Sequence, residues 1–96
     1  MIKYEVKYTS TFKKNLKKLT KQNKNLDEMF SLIERIANKE KLEHKFKNHK
    51  LRDDKNYKNC FECHIEPDWL LIYQYNEDNL ILLLVNSGTH SELFIK

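Results

Sequence analysis

His64 and Asp68 stand on either side of Pro67 in the run Glu62-Cys63-His64-Ile65-Glu66-Pro67-Asp68-Trp69-Leu70-Leu71-Ile72-Tyr73. The run reads as a strand, a tight polar turn and a second, almost wholly apolar strand. Proline presets φ and aspartate tolerates turn geometry, so Pro67-Asp68 marks the turn. The turn brings together two groups that can exchange or stabilise charge. A third, His90, follows in Ser87-Gly88-Thr89-His90-Ser91-Glu92-Leu93-Phe94. Imidazole changes charge near neutral pH and can serve as acid or base. Each positioned proton transfer is worth roughly 10²–10⁴-fold in rate. Cys60 and Cys63 have the spacing of a redox or zinc pair, but on a strand residues three apart point to opposite faces. Cys63 reads better as a small buried apolar residue.

The elements that must position these groups belong to a short chain. Ninety-six residues suit a single domain, 1–96, with a modest core. One Gly and one Pro argue against a linker-rich or disordered chain. No apolar run approaches the ~20 residues of a membrane span, and residues 1–5 lack the apolar core of a signal peptide. The expectation is a cytoplasmic protein with no membrane partner. The net charge of +4 is unevenly placed: residues 1–58 carry 17 Lys/Arg against 8 acids, residues 59–96 one Lys against 6. A cationic surface that meets a polyanion or an acidic protein fits that split.

Ile2, Tyr4, Val6 and Tyr8 alternate with polar residues, the period of a half-buried strand. Thr9-Ser10 offers an N-cap. Phe12, Leu16 and Leu19 then mark one helix face, with Lys13, Lys14, Lys17, Lys18 and Lys21 on the others. A second helix spans about Leu26 to Asn38, with Leu26, Met29, Phe30, Ile33, Ile36 and Ala37 in its apolar stripe. That stripe leaves no polar set for base reading, which excludes a helix-turn-helix DNA reader. Residues 39–56 are polar, anchored by Leu42, Phe46 and Leu51, with a short strand near Lys50 to Arg52. In the strand that follows, Cys60, Glu62 and His64 share one face, and Phe61, Cys63 and Ile65 the apolar other. Residues 69–75 and 80–85 read as buried strands joined by the turn at residues 76–79. Gly88 reads as a turn that β-carbons would resist. The order is strand, two helices, then three or four antiparallel strands: an α+β fold with a helical hairpin on one face of a sheet.

The pattern from His64 to Tyr73, followed by Gly88-Thr89-His90-Ser91-Glu92-Leu93-Phe94, resembles the RelE/ParE toxin superfamily, and within it the YafQ branch of bacterial type II toxins. Asn48-His49-Lys50-Leu51 resembles the loop element that precedes the same strands there. The resemblance implies a RelE-like fold: an N-terminal strand, a two-helix hairpin on an antiparallel sheet of about four to five strands, and a short C-terminal helical turn. It implies a ribosome-dependent endoribonuclease that cuts mRNA, needs no cofactor or metal, and is neutralised by a cognate antitoxin of the DinJ/RelB kind. It places the functional residues at His49, His64, Asp68, His90 and Phe94. Many relatives carry an arginine where this chain has Phe61, and another where it has Asn86. Lys47, Lys50 and Arg52 are the candidates to hold phosphate instead.

Metal-free RNA cleavage needs a base for the attacking 2′-hydroxyl, an acid for the departing 5′-oxygen and positive charge for the crowded phosphate. In the role assignment, His90 is the general acid, and His64 with Asp68 is the base or an orienting pair. His49 contacts phosphate or shares proton transfer, and Phe94 stacks a base. Glu62 is either an orienting group or a solvent-facing strand residue. Lys13, Lys14, Lys17 and Lys18 are placed to touch ribosomal RNA backbone. Two other readings share the fold: a ParE-like gyrase poison, and a degenerate module that binds RNA or antitoxin without catalysis.

Overall fold

A computed structural model describes residues 3–94 of the chain. These residues form strand β1 (Glu5–Tyr8), helices α1 (Ser10–Lys21) and α2 (Leu26–Ala37), a 3-10 turn (His44–Phe46), strands β2 (His49–Lys50), β3 (Phe61–Glu66), β4 (Trp69–Asn76) and β5 (Ile81–Gly88), and helix α3 (His90–Phe94). The strands lie in one sheet in the order β1-β5-β4-β3-β2. β2 to β5 pair antiparallel, as expected. β1 pairs with β5 in parallel, so the sheet is mixed. The chain between β1 and β5 is long enough for the crossover a parallel pair needs. Of the alternating N-terminal residues, Ile2 lies outside the described residues.

α1 begins where Thr9 Oγ1 accepts the Phe12 N–H at 3.0 Å. The same hydroxyl donates to the Val85 carbonyl at 2.7 Å, so the cap also ties the helix start to β5. α2 begins at Asn25, whose side chain accepts the Glu28 N–H at 3.2 Å. Asp27 and Glu28 in its first turn suit the positive end of the helix dipole. Phe12 and Leu19 of α1 and Met29, Leu32, Ile33, Ile36 and Ala37 of α2 pack on Cys63, Ile65, Trp69, Leu71, Tyr73, Leu82 and Leu84 of the sheet. Burying each large apolar side chain is worth about 1.5–3 kcal/mol, and this face carries most of that stabilisation.

Two residues expected in buried stretches are misplaced. Leu80 is 39% exposed in the turn ahead of β5, with a left-handed φ of 53° that most residues avoid. Phe30 is 39% exposed, and Leu32 is buried instead. Met29, Ile33 and Ile36 keep the i, i+4, i+7 spacing with Leu32 beside them, and Phe30 lies just off that stripe. In the polar segment, Leu42 is buried on the helix side, Phe46 packs against the same core, and Leu51 packs on the opposite face. The short strand there is His49–Lys50, slightly ahead of the expected position.

The face of the sheet away from α1 and α2 has a smaller core of Cys60, Leu70, Ile72 and Leu93. α3, only five residues long, is the helix on this side. The alternation of β3 sends Cys63 and Ile65 to the larger core and leaves Glu62 and His64 on this barer face.

Candidate active site

β3, the turn after it and α3 meet at one end of the barer face. His64 and His90 have ring centroids 5.4 Å apart, with planes tilted by 58°. The sequence places these imidazoles 26 residues apart; Leu70 of β4 pairs with His64 on one side and with Gly88, two residues before His90, on the other, and so closes that separation.

Asp68 serves His90. Its Oδ1 accepts the His90 backbone N–H at 3.0 Å and lies 2.8 Å from His90 Nδ1. These contacts, the backbone N–H foremost, hold the Asp68 carboxyl below its ordinary range. A carboxylate can only accept, so Nδ1 carries the hydrogen and Nε2 faces outward. This corrects the expected pairing of Asp68 with His64. The turn sets Asp68 just beyond the His64 strand, but α3 folds back over that turn and presents its own first residue to the carboxylate.

The carboxylate beside His64 is Glu62, on the same face two residues earlier. Glu62 is buried at 6% exposure. Its Oε2 lies 3.6 Å from His64 Nε2 and 3.3 Å from His49 Nε2. His64 Nδ1 donates to the Pro67 carbonyl at 3.3 Å, and His49 Nδ1 to the Lys47 carbonyl at 2.7 Å. One buried carboxylate therefore sits between two imidazoles whose other nitrogens are fixed by backbone. Strand alternation already put Glu62 and His64 on one face. What it did not show was His49, brought opposite Glu62 by the short β2–β3 pairing.

α3 is held at its start by a reciprocal cap. Glu92 Oε1 accepts the Thr89 N–H at 2.8 Å, and Thr89 Oγ1 accepts the Glu92 N–H at 3.2 Å. Lys18 of α1 pairs with the same carboxylate; Lys18 and the Thr89 N–H hold the Glu92 carboxyl below its ordinary range. The glycine before this cap is needed for space. Gly88 has no left-handed φ, contrary to the expected turn role, but a Cβ there would come within 2.8 Å of Glu92 Oε1. Phe94, at the end of α3, is 36% exposed, with its ring 6.4 Å from that of His90.

The structure thus gathers His49, His64, Asp68, His90 and Phe94 on one side of the sheet and adds Glu62. The cations are more scattered. Lys13, Lys14 and Lys17 are exposed along α1, and Lys18 reaches α3. Lys47 lines a groove of about 470 Å³ that opens beside His64, between Phe46, Ile65 and Pro67. Lys50 is paired with Phe61, which falls on the other face, and Arg52 is exposed in the loop. The two positions at which the resemblance leads one to expect arginine, Phe61 and Asn86, are occupied structurally here. Phe61 stacks on Tyr73 at 5.5 Å on the helix side, and Asn86 is buried at 8% exposure. Cys60 and Cys63 are both buried, in different cores. Burial pushes the Cys63 thiol up to about 12, far from a reactive thiolate. Among the described residues, no group of three or more His, Cys, Asp or Glu side chains is arranged to hold a metal ion.

Residues 4–95 match the family described as a bacterial toxin of type II toxin-antitoxin system, YafQ. The chain belongs to the YafQ toxin family. It is 30% identical over 95 residues to the mRNA interferase toxin YafQ of Escherichia coli strain K12, covering 98% of this chain and 99% of that protein. A metal-bound toxin from Helicobacter pylori has a TM-score of 0.88 and 35% identity, over 95% of this chain and 99% of that one. The E. coli DinJ-YafQ toxin-antitoxin complex gives 0.83 and 29%, over 97% and 99%. The RelE-like α+β fold is therefore that of the YafQ toxins.

Proposed function

We propose that this YafQ-family toxin is an endoribonuclease that cuts mRNA on the ribosome by attack of the 2′-hydroxyl on its neighbouring phosphate. The whole chain, 1–96, acts as one domain, without a metal in the step. The observation that carries the reading is the pair of imidazoles 5.4 Å apart on one face, each with its own carboxylate. One ring to take a proton and one to give a proton, placed around a single phosphate, is what the reaction requires.

His64 is the base. Its Nδ1–H is spent on the Pro67 carbonyl, so Nε2 is the nitrogen that takes the 2′-hydroxyl proton. Glu62 lies beside the ring that takes the proton, and His49, on the other side of Glu62, contacts the phosphate or shares the proton transfer. His90 is the acid. Asp68 fixes its Nδ1–H, and Nε2 delivers the proton to the 5′-oxygen. Phe94 stacks a base beside His90. Lys47, at the mouth of the groove by His64, meets the phosphates that the missing arginines would hold, with Arg52 in the loop after β2.

Lys13, Lys14, Lys17 and Lys18 dock on ribosomal RNA backbone, a contact that rising salt weakens. An acidic antitoxin of the DinJ/RelB kind neutralises the toxin in the cytoplasm; the E. coli relative is seen in complex with DinJ. The test is cleavage of mRNA on ribosomes by the wild type and by His64→Ala and His90→Ala, with RNA 5′ ends sequenced. The wild type leaves in-frame cuts, and each variant loses roughly 10²–10⁴-fold in rate. Full activity in both variants overturns the scheme. Intact RNA with stalled plasmid supercoiling would instead mark a gyrase poison.

A further inference from the structure

Tyr57, in the loop before β3, touches α3 in two ways. Its hydroxyl lies 3.3 Å from the Leu93 carbonyl, and its ring meets the Phe94 ring edge-on at 5.6 Å. The hydroxyl is also 3.1 Å from Asn86 Nδ2. Asn86 Oδ1 in turn accepts the Ser87 backbone N–H at 2.9 Å and Asn15 Nδ2 of α1 at 2.5 Å.

The direction of this relay follows from one atom. A backbone N–H can only donate, so the Asn86 atom facing Ser87 must be the oxygen. The other atom of the amide is then the NH₂, and it must donate to the Tyr57 hydroxyl. With that lone pair used, the hydroxyl proton goes to the Leu93 carbonyl. That carbonyl lies in the last described turn of α3, where helix carbonyls take partners from outside the helix. A five-residue helix cannot hold itself. Its start is fixed by the Thr89–Glu92 cap and Lys18; Tyr57 fixes its end.

We propose that Tyr57 and Asn86, braced by Asn15, are positioning residues that hold Phe94 and His90 in their working geometry. In this chain the buried amide at position 86 anchors α3 instead of offering a cation to phosphate. The proposal rests on the ribonuclease reading for its kinetic arm only.

Tyr57→Phe removes the hydroxyl and keeps the ring. Asn86→Asp keeps the acceptor for Asn15 and Ser87 but removes the donor, so the Tyr57 proton turns to the carboxylate and away from the Leu93 carbonyl. Both variants are compared with the wild type in mRNA cleavage on ribosomes, in thermal unfolding, and by NMR of the His90 imidazole and the Phe94 ring. For Tyr57→Phe the expected result is a roughly three- to tenfold fall in kcat, the worth of one hydrogen bond, with a smaller rise in KM as Phe94, which stacks the base, shifts. The His90 and Phe94 resonances move, those of His49 stay, and Asn86→Asp changes in the same direction. Unmoved His90 and Phe94 resonances in a folded Tyr57→Phe protein would overturn the proposal, as would an unchanged kcat. If the wild type itself leaves RNA whole, the ribonuclease reading fails, and the NMR comparison alone decides the positioning role.

Discussion

The two faces of the sheet are built for different ends. The face under α1 and α2 is dry and continuous, closed by Phe12, Met29, Ile36, Trp69, Leu71 and Tyr73, all nearly without exposure. The opposite face has a small core and one five-residue helix. It carries a buried carboxylate, three imidazoles and an exposed aspartate held by two contacts. One strand, β3, feeds both faces with alternate residues. Stability is thus concentrated where no chemistry-bearing side chain points, and the reactive groups lie where substrate can reach them.

The sharpest way to break this division is to weaken the dry face. Leu71→Ala leaves a cavity between β4 and the helices, and should lower unfolding free energy by about 2–5 kcal/mol, read from urea denaturation. That is a large share of the ~5–15 kcal/mol of a typical domain. The contrast is His64→Ala, which should move the denaturation midpoint little while removing activity. Equal losses of stability in the two variants would erase the distinction between the faces.

A smaller effect is expected at the join between them. Gly88→Ala puts a methyl group where Glu92 Oε1 now sits. It should displace the carboxylate from the Thr89 N–H and cost about 1 kcal/mol, the worth of an N-cap. Cleavage should fall with it, because α3 carries His90. Unchanged thermal stability and activity would show that the cap is dispensable.

The smallest effect concerns acid. Asp68 is held below its ordinary range by His90, and Glu92 by Lys18 and Thr89. A carboxyl with a depressed folded-state pKa contributes stability above its unfolded pKa and loses it as pH falls through the folded value. Stability should therefore decline below about pH 4, the ordinary carboxyl range. Asp68→Asn should flatten the decline slightly in an acid titration followed by circular dichroism. An identical acid profile in the variant would argue against the Asp68–His90 contact in solution.

Much of this division was legible in the sequence. The alternation in β3 assigned Cys63 and Ile65 to one face and Glu62 and His64 to the other, because a strand has only two sides. The stripes of α1 and α2, the cap at Thr9 and the turn at Pro67 were equally local signals. What escaped depended on elements distant in sequence. The parallel pairing of β1 is a long-range choice that period-two alternation cannot reveal. Asp68 was matched with its neighbour in the turn, and only the return of α3 shows that it belongs to His90. Gly88 was read for its backbone freedom, whereas the constraint is a carboxylate four residues on. Tyr57 was read as the start of the strand running to Ile65; β3 instead begins at Phe61, and local pattern could not show that Tyr57 meets α3 from the loop before it. Phe30 lies one step round the helix from Met29, at the edge of the stripe, where packing against the sheet rather than spacing decides burial.

The central claim is that imidazoles on the barer face move protons for a ribose 2′-oxygen. The most direct measurement uses mRNA bound on ribosomes with a single 2′-deoxy substitution at the mapped cleavage nucleotide, beside its all-ribose twin. The account predicts a 2′,3′-cyclic or 3′-phosphate end from the ribose strand and no cut at the substituted site. Cleavage of the 2′-deoxy site at the ribose rate would contradict it.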